Sequence, residues 1–215
     1  MTFKNHQEAG QKLAQELKEF KNQKDTIIIA LPRGGVVNAF EIAKELNLPL
    51  DLVVPRKIGA PGHEEYAIGA ITESGEGIFN QSAIDSLNIG QEYLNKKITE
   101  EKKEAERRLK TYRPDRPALN LKNKTVIIVD DGIATGLTMQ AAIKSVKEKQ
   151  PKKIIVAVPV SAKDSLKKIK ELVDQVICLH TPFFFGAVGA FYETFEQTPD
   201  EKVIELMAKS KNFGK

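Results

Sequence analysis

The chain has very little cysteine and no long hydrophobic run. Its 215 residues include a single cysteine, Cys178, which excludes an internal disulfide framework and indicates a reducing compartment. No apolar run approaches the length that a membrane-spanning helix needs. The first twenty residues carry Glu8, Glu16 and Glu19 between their apolar positions, which argues against a signal or transit peptide. These absences predict a cytoplasmic protein with no membrane partner.

The chain also has no strong excess of basic over acidic residues or of acidic over basic ones. The 33 basic and 29 acidic residues give a net charge of +4. This small excess does not call for a nucleic-acid partner, although the pI near 9.0 leaves one open. The 41% hydrophobic and 29% charged residues are typical of a folded globular chain. The length fits one large domain or one and a half, and with no internal repeat we predict a single domain over residues 1–215.

Apolar runs alternate with helical patterns along the chain. Residues 26–31 and 153–159 are apolar at almost every position, which is typical of strands covered on both faces. Residues 50–55 and 175–179 are predicted as two further strands. Amphipathic helical patterns lie between these runs, so we expect right-handed βαβ units. The fold class is therefore α/β, with a mainly parallel sheet between layers of helices.

Residues 125–139, TVIIVDDGIATGLTM, are the most informative stretch. Four β-branched residues are followed by Asp130 and Asp131, then by small and hydroxyl residues, and then by a helical pattern. Ligands of open α/β sheets bind outside the carboxyl ends of the strands. Carboxylates accept hydrogen bonds from sugar hydroxyls or metal-bound water, and a helix N-terminus attracts phosphate. The stretch predicts a ribose 5-phosphate site; the alternative is an ordinary turn with aspartates as caps.

The same stretch resembles the PRPP-binding motif of the type I phosphoribosyltransferases, which consists of an apolar strand, two acids and a Thr-Gly-x-Thr turn. The matching letters here are VIIVDDGIATGLT. The resemblance implies that Asp130 and Asp131 act in catalysis by holding the ribose hydroxyls. It implies a 5-phosphate site formed by Thr135, Gly136 and Thr138 with the backbone from Ala134 to Leu137, and a further substrate contact from Gly132.

A second turn, Pro32-Arg33-Gly34-Gly35, follows the strand predicted at residues 26–31. Two glycines let the backbone approach a ligand closely, and an arginine adds a positive fork suited to phosphate oxygens. By itself the pattern fits a tight strand-to-helix turn equally well. It resembles the pyrophosphate loop of the same family, which implies substrate contacts from Pro32, Gly34 and Gly35. It also implies a cis peptide bond between Pro32 and Arg33.

Positive charge follows the strand predicted at residues 50–55 as well, at Arg56 and Lys57. The resemblance implies that Arg33 and Lys57 are catalytic groups that neutralise pyrophosphate, and that Arg56 contacts substrate. It also implies Mg²⁺ as cofactor, held through PRPP and water and approached by Asp130 or Asp131, with no direct protein ligand.

Residues 58–66, IGAPGHEEY, are rich in glycine and proline and are predicted as an exposed, mobile loop. The resemblance implies that this loop closes over the sugar. His63, Glu64 and Glu65 do not have the HExxH spacing, so a metal site there is disfavoured. Residues 67–72 and 77–80 predict a hairpin. His6 and His180 are expected at the surface and at a strand end.

Residues 180–195, HTPFFFGAVGAFYETF, hold most of the aromatic side chains. Their rings are suited to stacking a nucleobase or, alternatively, to sealing the edge of the sheet. The resemblance implies a small hood over the acceptor base, built from residues 58–80 and 180–198. Residues 91–112 predict a long, highly charged helix, either solvated or offered to a partner subunit or RNA.

The motifs PRGG, RKxGAPG and DDGxATG together resemble one branch of the family. They imply transfer of ribose 5-phosphate from PRPP to a nitrogenous base. Family members that act on 6-oxopurines carry an acid where this chain has Ala134, which argues against guanine or hypoxanthine. The alternatives are a PRPP-sensing regulator that binds RNA, DNA or protein, and a hydrolase or phosphorylase. A homodimer is left open.

Overall fold

A computed structural model describes residues 1–114 and 116–214, apart from the side chain of residue 65. Eight strands and seven α-helices are present among these residues. The strands are β1 (Thr26–Ala30), β2 (Leu50–Leu52), β3 (Arg56–Ala60), β4 (His63–Ile71), β5 (Gly77–Phe79), β6 (Thr125–Val129), β7 (Lys153–Val160) and β8 (Gln175–His180). The α-helices are α1 (His6–Glu16), α2 (Gly34–Leu46), α3 (Gln81–Ser86), α4 (Gln91–Tyr112), α5 (Leu137–Lys147), α6 (Lys163–Lys170) and α7 (Asp200–Lys209).

Five strands form one parallel sheet in the order β2-β1-β6-β7-β8. The central strand β6 pairs in register with β1 along Thr26 to Ala30 and with β7 along Lys153 to Ala157. Every residue of β1 and β6 is buried, because helices cover both faces of the sheet. The predicted α/β class with a parallel sheet is confirmed. The strand predicted at residues 50–55 is shorter than expected and ends at Leu52.

Two hydrophobic cores separate the sheet from its helical layers. One contains Ile28 and Ile127 of the sheet with side chains from α1, α2, α4 and α7. The other contains Ile29 and Ile128 with side chains from α5 and Ile169 of α6. The alternation of neighbouring isoleucines between the two cores follows from the period of two in a strand. The three layers therefore place the N-termini of α2 and α5 at the carboxyl edge of the sheet.

A second, three-stranded antiparallel sheet has the order β3-β4-β5. The hairpin predicted between residues 67–72 and 77–80 is confirmed by the pairing of β4 with β5. The mobile loop predicted at residues 58–66 is wrong, because these residues belong mostly to β3 and β4, which pair with an irregular register. Gly59 allows this pairing, since a Cβ there would lie 2.4 Å from the backbone oxygen of Glu64. The small sheet packs against α5.

The long helix α4 has few buried side chains, among them Leu94, Ala105 and Tyr112. Many of its charges are paired: Glu104 accepts from both Arg107 and Arg108, each at 2.7 Å. These two guanidinium groups lower the pKa of Glu104 to about 2. None of the described helices is long and apolar enough to cross a membrane. The paired charges favour the interpretation of α4 as a solvated helix.

Candidate active site

The acid pair lies where β6 ends, at the carboxyl edge of the sheet. Asp130 lines a cavity of about 230 Å³. Burial, followed by the neighbouring Asp131 carboxylate, raises the pKa of the Asp130 carboxyl well above its usual range, while a backbone hydrogen bond opposes this shift. That bond is donated by the Asp131 N–H to Asp130 Oδ1 over 2.9 Å. Asp130 therefore presents a confined carboxyl group, on one side of the cavity, whose ionisation is opposed by its surroundings.

The turn after the acid pair lines the same cavity. The residues that surround the cavity include Gly132, Ile133, Ala134, Thr135, Gly136 and Thr138. Gly136 has φ of +80°, a conformation that favours glycine, and α5 begins directly after it. No described side chain caps the first turn of α5 by a hydrogen bond. The N-terminus of a helix of eleven residues thus lies beside the cavity and can donate backbone N–H groups to an anion.

Two neighbouring elements fix the shape of this turn. Ile133 donates to the carbonyl of Val160 and accepts from the N–H of Ala162, each over 2.9 Å. The hydroxyl of Ser165, on α6, donates to the carbonyl of Ala134 over 2.5 Å. These bonds occupy the carbonyls on the outer side of the turn. The turn is therefore held in place by β7 and α6 without using the groups that face the cavity.

The second turn, at residues 32–35, is packed directly against the acid pair. The peptide bond between Pro32 and Arg33 is cis, as predicted. A Cβ on Gly34 would lie 2.0 Å from Asp131 Oδ2, and one on Gly35 would lie 2.8 Å from the Cα of Asp130. Both glycines are required here because larger residues would collide with the acids. The two turns, although separated by about a hundred residues in the chain, form one surface.

Arg33 points away from the cavity toward α7. Its Nη1 lies 3.4 Å from Oδ1 of Asp200. Asp200 also accepts from the Tyr112 hydroxyl over 2.6 Å and from Arg107 over 3.2 Å. The Tyr112 hydroxyl, together with these guanidinium groups, holds the pKa of the Asp200 carboxyl below its usual value. The structure therefore places this predicted catalytic arginine in an ion-pair network, which the sequence did not indicate.

The two basic residues at the start of β3 have different surroundings. Lys57 lines the cavity together with Asp130. Arg56 instead pairs with Glu101 of α4, with 2.6 Å between Nη2 and Oε2. Among the predicted residues, the described cavity thus brings together Asp130, Lys57 and the turn, whereas Arg33 and Arg56 are held by carboxylates outside it.

A histidine and a tyrosine contact Asp131, and neither was predicted as a site residue. The expectation that His6 lies at the surface is wrong: it is only 7% exposed, and its Nε2 lies 3.5 Å from Asp131 Oδ2. The Tyr192 hydroxyl donates to the Asp131 carbonyl over 2.6 Å. The His6 ring packs against both Tyr192 and Phe195, with centroids 5.0 and 4.9 Å away. A histidine that starts a helix gives no local signal of such a contact.

The aromatic segment divides into two parts. Tyr192 is buried beneath the acid pair, next to Phe3, which agrees with a sealing role. Phe183 and Phe184 are 91% and 84% exposed. The described part of the chain contains no cluster of three or more His, Cys, Asp or Glu side chains able to hold a metal ion. The side chain of Glu65, named above with His63 and Glu64, lies outside the described residues.

Comparison with known proteins agrees with this geometry. A family model described as the phosphoribosyl transferase domain matches residues 2–193. The chain belongs to this family, which confirms the resemblance seen in its motifs. The Mycobacterium tuberculosis protein named "Putative phosphoribosyl transferase Rv0571c" is 36% identical over 208 residues, covering 97% of this chain and 47% of that protein. The chain thus spans about half the length of the curated relatives it matches.

A solved structure covers nearly the whole chain. The crystal structure of TT1426 from Thermus thermophilus has a TM-score of 0.78 and 36% identity, covering 97% of this chain and 99% of that chain. A shorter match of 53 residues, at 42% identity, covers 25% of this chain and 26% of a uracil phosphoribosyltransferase from Mycoplasma genitalium.

Proposed function

We propose that the chain transfers the 5-phosphoribosyl group of PRPP to a nitrogen atom of a base and releases pyrophosphate. The observation that carries this proposal is the shared cavity, in which Asp130 and the Thr135–Thr138 turn face the same space. A carboxyl pair suits the hydroxyls of a ribose, and a helix N-terminus suits its 5-phosphate. Membership of the phosphoribosyl transferase family supports the same reaction class.

The difficult part of this reaction is to stabilise a cationic sugar and a highly charged leaving group. Asp130 and Asp131 place negative charge beside the sugar ring and hold its hydroxyls in position. The turn before α5 binds the 5-phosphate, a group remote from the reacting carbon, and this binding orients the ring. Lys57 and the amides of the 32–35 turn would neutralise the departing pyrophosphate, with Arg33 joining them once released from Asp200.

The residues present fit a magnesium ion held mainly by substrate. Asp130 offers hard oxygen donors in the cavity, and the neighbouring Asp131, whose Oδ2 lies beside His6, offers a second carboxylate next to it. Two carboxylates are too few to form a complete protein site, which suits an ion whose other ligands are phosphate oxygens and water. The ion would supply charge neutralisation for pyrophosphate. Binding of Mg²⁺ by PRPP would also favour the ionised form of Asp130, which burial otherwise opposes.

The acceptor is a nitrogenous base, and two observations narrow the panel to test. Ala134 lines the cavity where 6-oxopurine enzymes carry an acid, which disfavours guanine and hypoxanthine. The short match to a uracil phosphoribosyltransferase adds uracil to the panel. A radiolabelled set of uracil, adenine, orotate and the 6-oxopurines, with PRPP and Mg²⁺, would identify the acceptor by formation of a labelled nucleotide.

Calorimetry with PRPP and Mg²⁺ tests the binding site directly. Asp131→Asn should weaken PRPP binding about tenfold or more, because an amide loses the charge that faces the sugar, and should leave the fold intact. Asp164→Asn is the matched control, since it removes an exposed carboxylate from α6 near the same edge of the sheet. An unchanged affinity in Asp131→Asn would remove that residue from the site.

A PRPP-sensing regulator that binds RNA, DNA or protein is the second candidate, and its motive is the basic balance of the chain together with the charged helix α4. Pairing of Arg107, Arg108 and Arg56 with glutamates leaves α4 less suited to RNA than its composition indicates. PRPP binding without turnover of any base, combined with salt-sensitive RNA affinity, would favour the regulator. Release of pyrophosphate in the absence of a base would favour a hydrolase.

A further inference from the structure

A second cavity adjoins the one that contains the proposed 5-phosphate site. Thr135 and Ala67 line the 230 Å³ cavity that contains Asp130, and they also line a second cavity of about 320 Å³. The second cavity lies between the phosphate turn, the end of the small sheet and α6, which contribute Thr135, Asn80 and Lys168. A site for a terminal phosphate group needs only the first of these two spaces.

A third cavity extends the same surface along the small sheet. Tyr66 lines the second cavity and also a third one of about 390 Å³, whose other lining includes Pro61, His63 and Leu87. Tyr66 and Leu87 are 52% and 50% exposed, so an aromatic ring and an aliphatic side chain form the far end of this surface. We name the second and third cavities together the outer groove.

The polar groups of the outer groove lie close to the phosphate turn. Ser165, which fixes the turn through the carbonyl of Ala134, stands three residues before Lys168 on α6. Residues three apart share a helix face, so Lys168 extends along the groove beside the turn. Lys168 forms no ion pair with any other described residue. The Gln140 Nε2 lies 3.6 Å from the position of a Cβ on Gly136, which places an amide donor at the boundary between the cavities.

The order of chemistry along this surface matches one class of ligand. From the acid pair outward, the groups suit a ribose, a first phosphate, a second anionic group at Lys168, and a flat ring that stacks on Tyr66. We propose that the outer groove makes this site a receptor for ribose 5-phosphates whose phosphate carries a further group, in particular a nucleoside 5'-diphosphate linked to ribose. The proposal rests on the proposed function, because the acid pair and the turn hold the ribose 5-phosphate part.

The test compares ribose 5-phosphate with ADP-ribose, whose terminal ribose has the same free hydroxyls. Calorimetry on the unmodified chain should show tighter binding of ADP-ribose. Lys168→Ala should weaken ADP-ribose binding about three- to fivefold, as for a partly solvated ion pair. Tyr66→Ala should weaken it about five- to tenfold through loss of stacking. Neither change should alter the affinity for ribose 5-phosphate.

Two matched controls separate specific contacts from general effects. Lys167→Ala removes a neighbouring exposed lysine from the same helix, and Tyr66→Phe keeps the ring; both should retain the wild-type affinity for ADP-ribose. Equal affinity for the two ligands, or equal losses in Lys168→Ala and Lys167→Ala, would overturn the proposal while leaving the proposed function in place. A failure of both ribose 5-phosphate and PRPP to bind would contradict the proposed function and, with it, this receptor.

Discussion

The two strand-to-helix turns at the carboxyl edge of the sheet differ in what their polar groups contact. The turn after β6 is fixed from behind, by β7 and by Ser165, and its helix N-terminus faces a cavity. The turn after β1 is closed on two sides: its glycines contact the acid pair, and Arg33 pairs with Asp200. The donors of the turn after β6 therefore already face a possible ligand, whereas the arginine of the turn after β1 is still paired within the protein.

This difference indicates an order of events in the proposed reaction. The sugar phosphate meets a turn whose donors already face the cavity, which is the preorganised condition for tight binding. The pyrophosphate meets a turn whose arginine must first leave a carboxylate. The share of neutralising charge that Arg33 would supply therefore becomes available only when Arg33 leaves Asp200.

The largest effects are expected from adding a methyl group to each glycine of the 32–35 turn. In Gly35→Ala the new Cβ meets the backbone of Asp130 and Val129, so the free energy of unfolding should fall by about 2–3 kcal/mol. In Gly34→Ala it meets the end of the Asp131 side chain, which can rotate away. That variant should keep most of its stability but lose PRPP affinity about tenfold or more.

Urea unfolding of the two alanine variants measures their free energies of unfolding, and calorimetry measures their affinities for PRPP. Each variant serves as the control for the other, because both add the same methyl group at neighbouring positions. Similar losses of stability in the two variants would show that Gly34 is constrained by the fold and not by the orientation of Asp131.

An intermediate effect is expected from Asp130→Asn, which replaces a buried ionisable carboxyl beside Asp131 with a neutral amide. The amide oxygen can still accept from the Asp131 N–H, so the local structure should persist. The free energy of unfolding at pH 7 should rise by about 1 kcal/mol or more, since the raised pKa means that folding opposes an ionisation that is free in the unfolded chain. PRPP affinity should fall.

The dependence of folding stability on pH tests whether the Asp130 carboxyl is responsible for this difference. Folded Asp130 binds its proton more tightly than unfolded Asp130, so wild-type stability should fall as pH rises from about 4 through the raised pKa. Unfolding curves recorded across this range should show the wild type and Asp130→Asn converging below about pH 4 and diverging above it. A constant difference at every pH would contradict the raised pKa.

The smallest effect is expected from Asp200→Asn, which weakens the hold on Arg33. Its amide oxygen can still accept from the Tyr112 hydroxyl, so α7 should remain in place. Pyrophosphate affinity measured by calorimetry should rise about two- to threefold, the size expected for a partly exposed ion pair. Glu201→Gln, at the next position of α7, is the control. A fall in affinity with the fold intact would show that Asp200 supports the turn instead of competing for Arg33.

Much of the candidate site was predictable because its signals are local. The run of β-branched residues, Asp130 and Asp131, and the Thr-Gly turn follow each other within fifteen residues. Their order therefore fixes a strand, a strand end and a helix start. The small sheet was not predictable in the same way, since glycine and proline at residues 59–62 are typical of a loop, and the pairing of β3 with β4 prevailed over that preference.

By itself, the sequence determined the parallel sheet, the position of the acid pair at its edge and the family of the chain. Hydrophobic periodicity and short motifs involve residues that are close together in the chain, so they can be recognised directly in the sequence. Only the tertiary structure decided that His6 and Tyr192 contact Asp131, that Asp200 pairs with Arg33, and that a second cavity adjoins the first at Thr135. Arg33 and Asp200 stand 167 residues apart in the chain, and contacts of that kind arise from the packing of whole helices and strands.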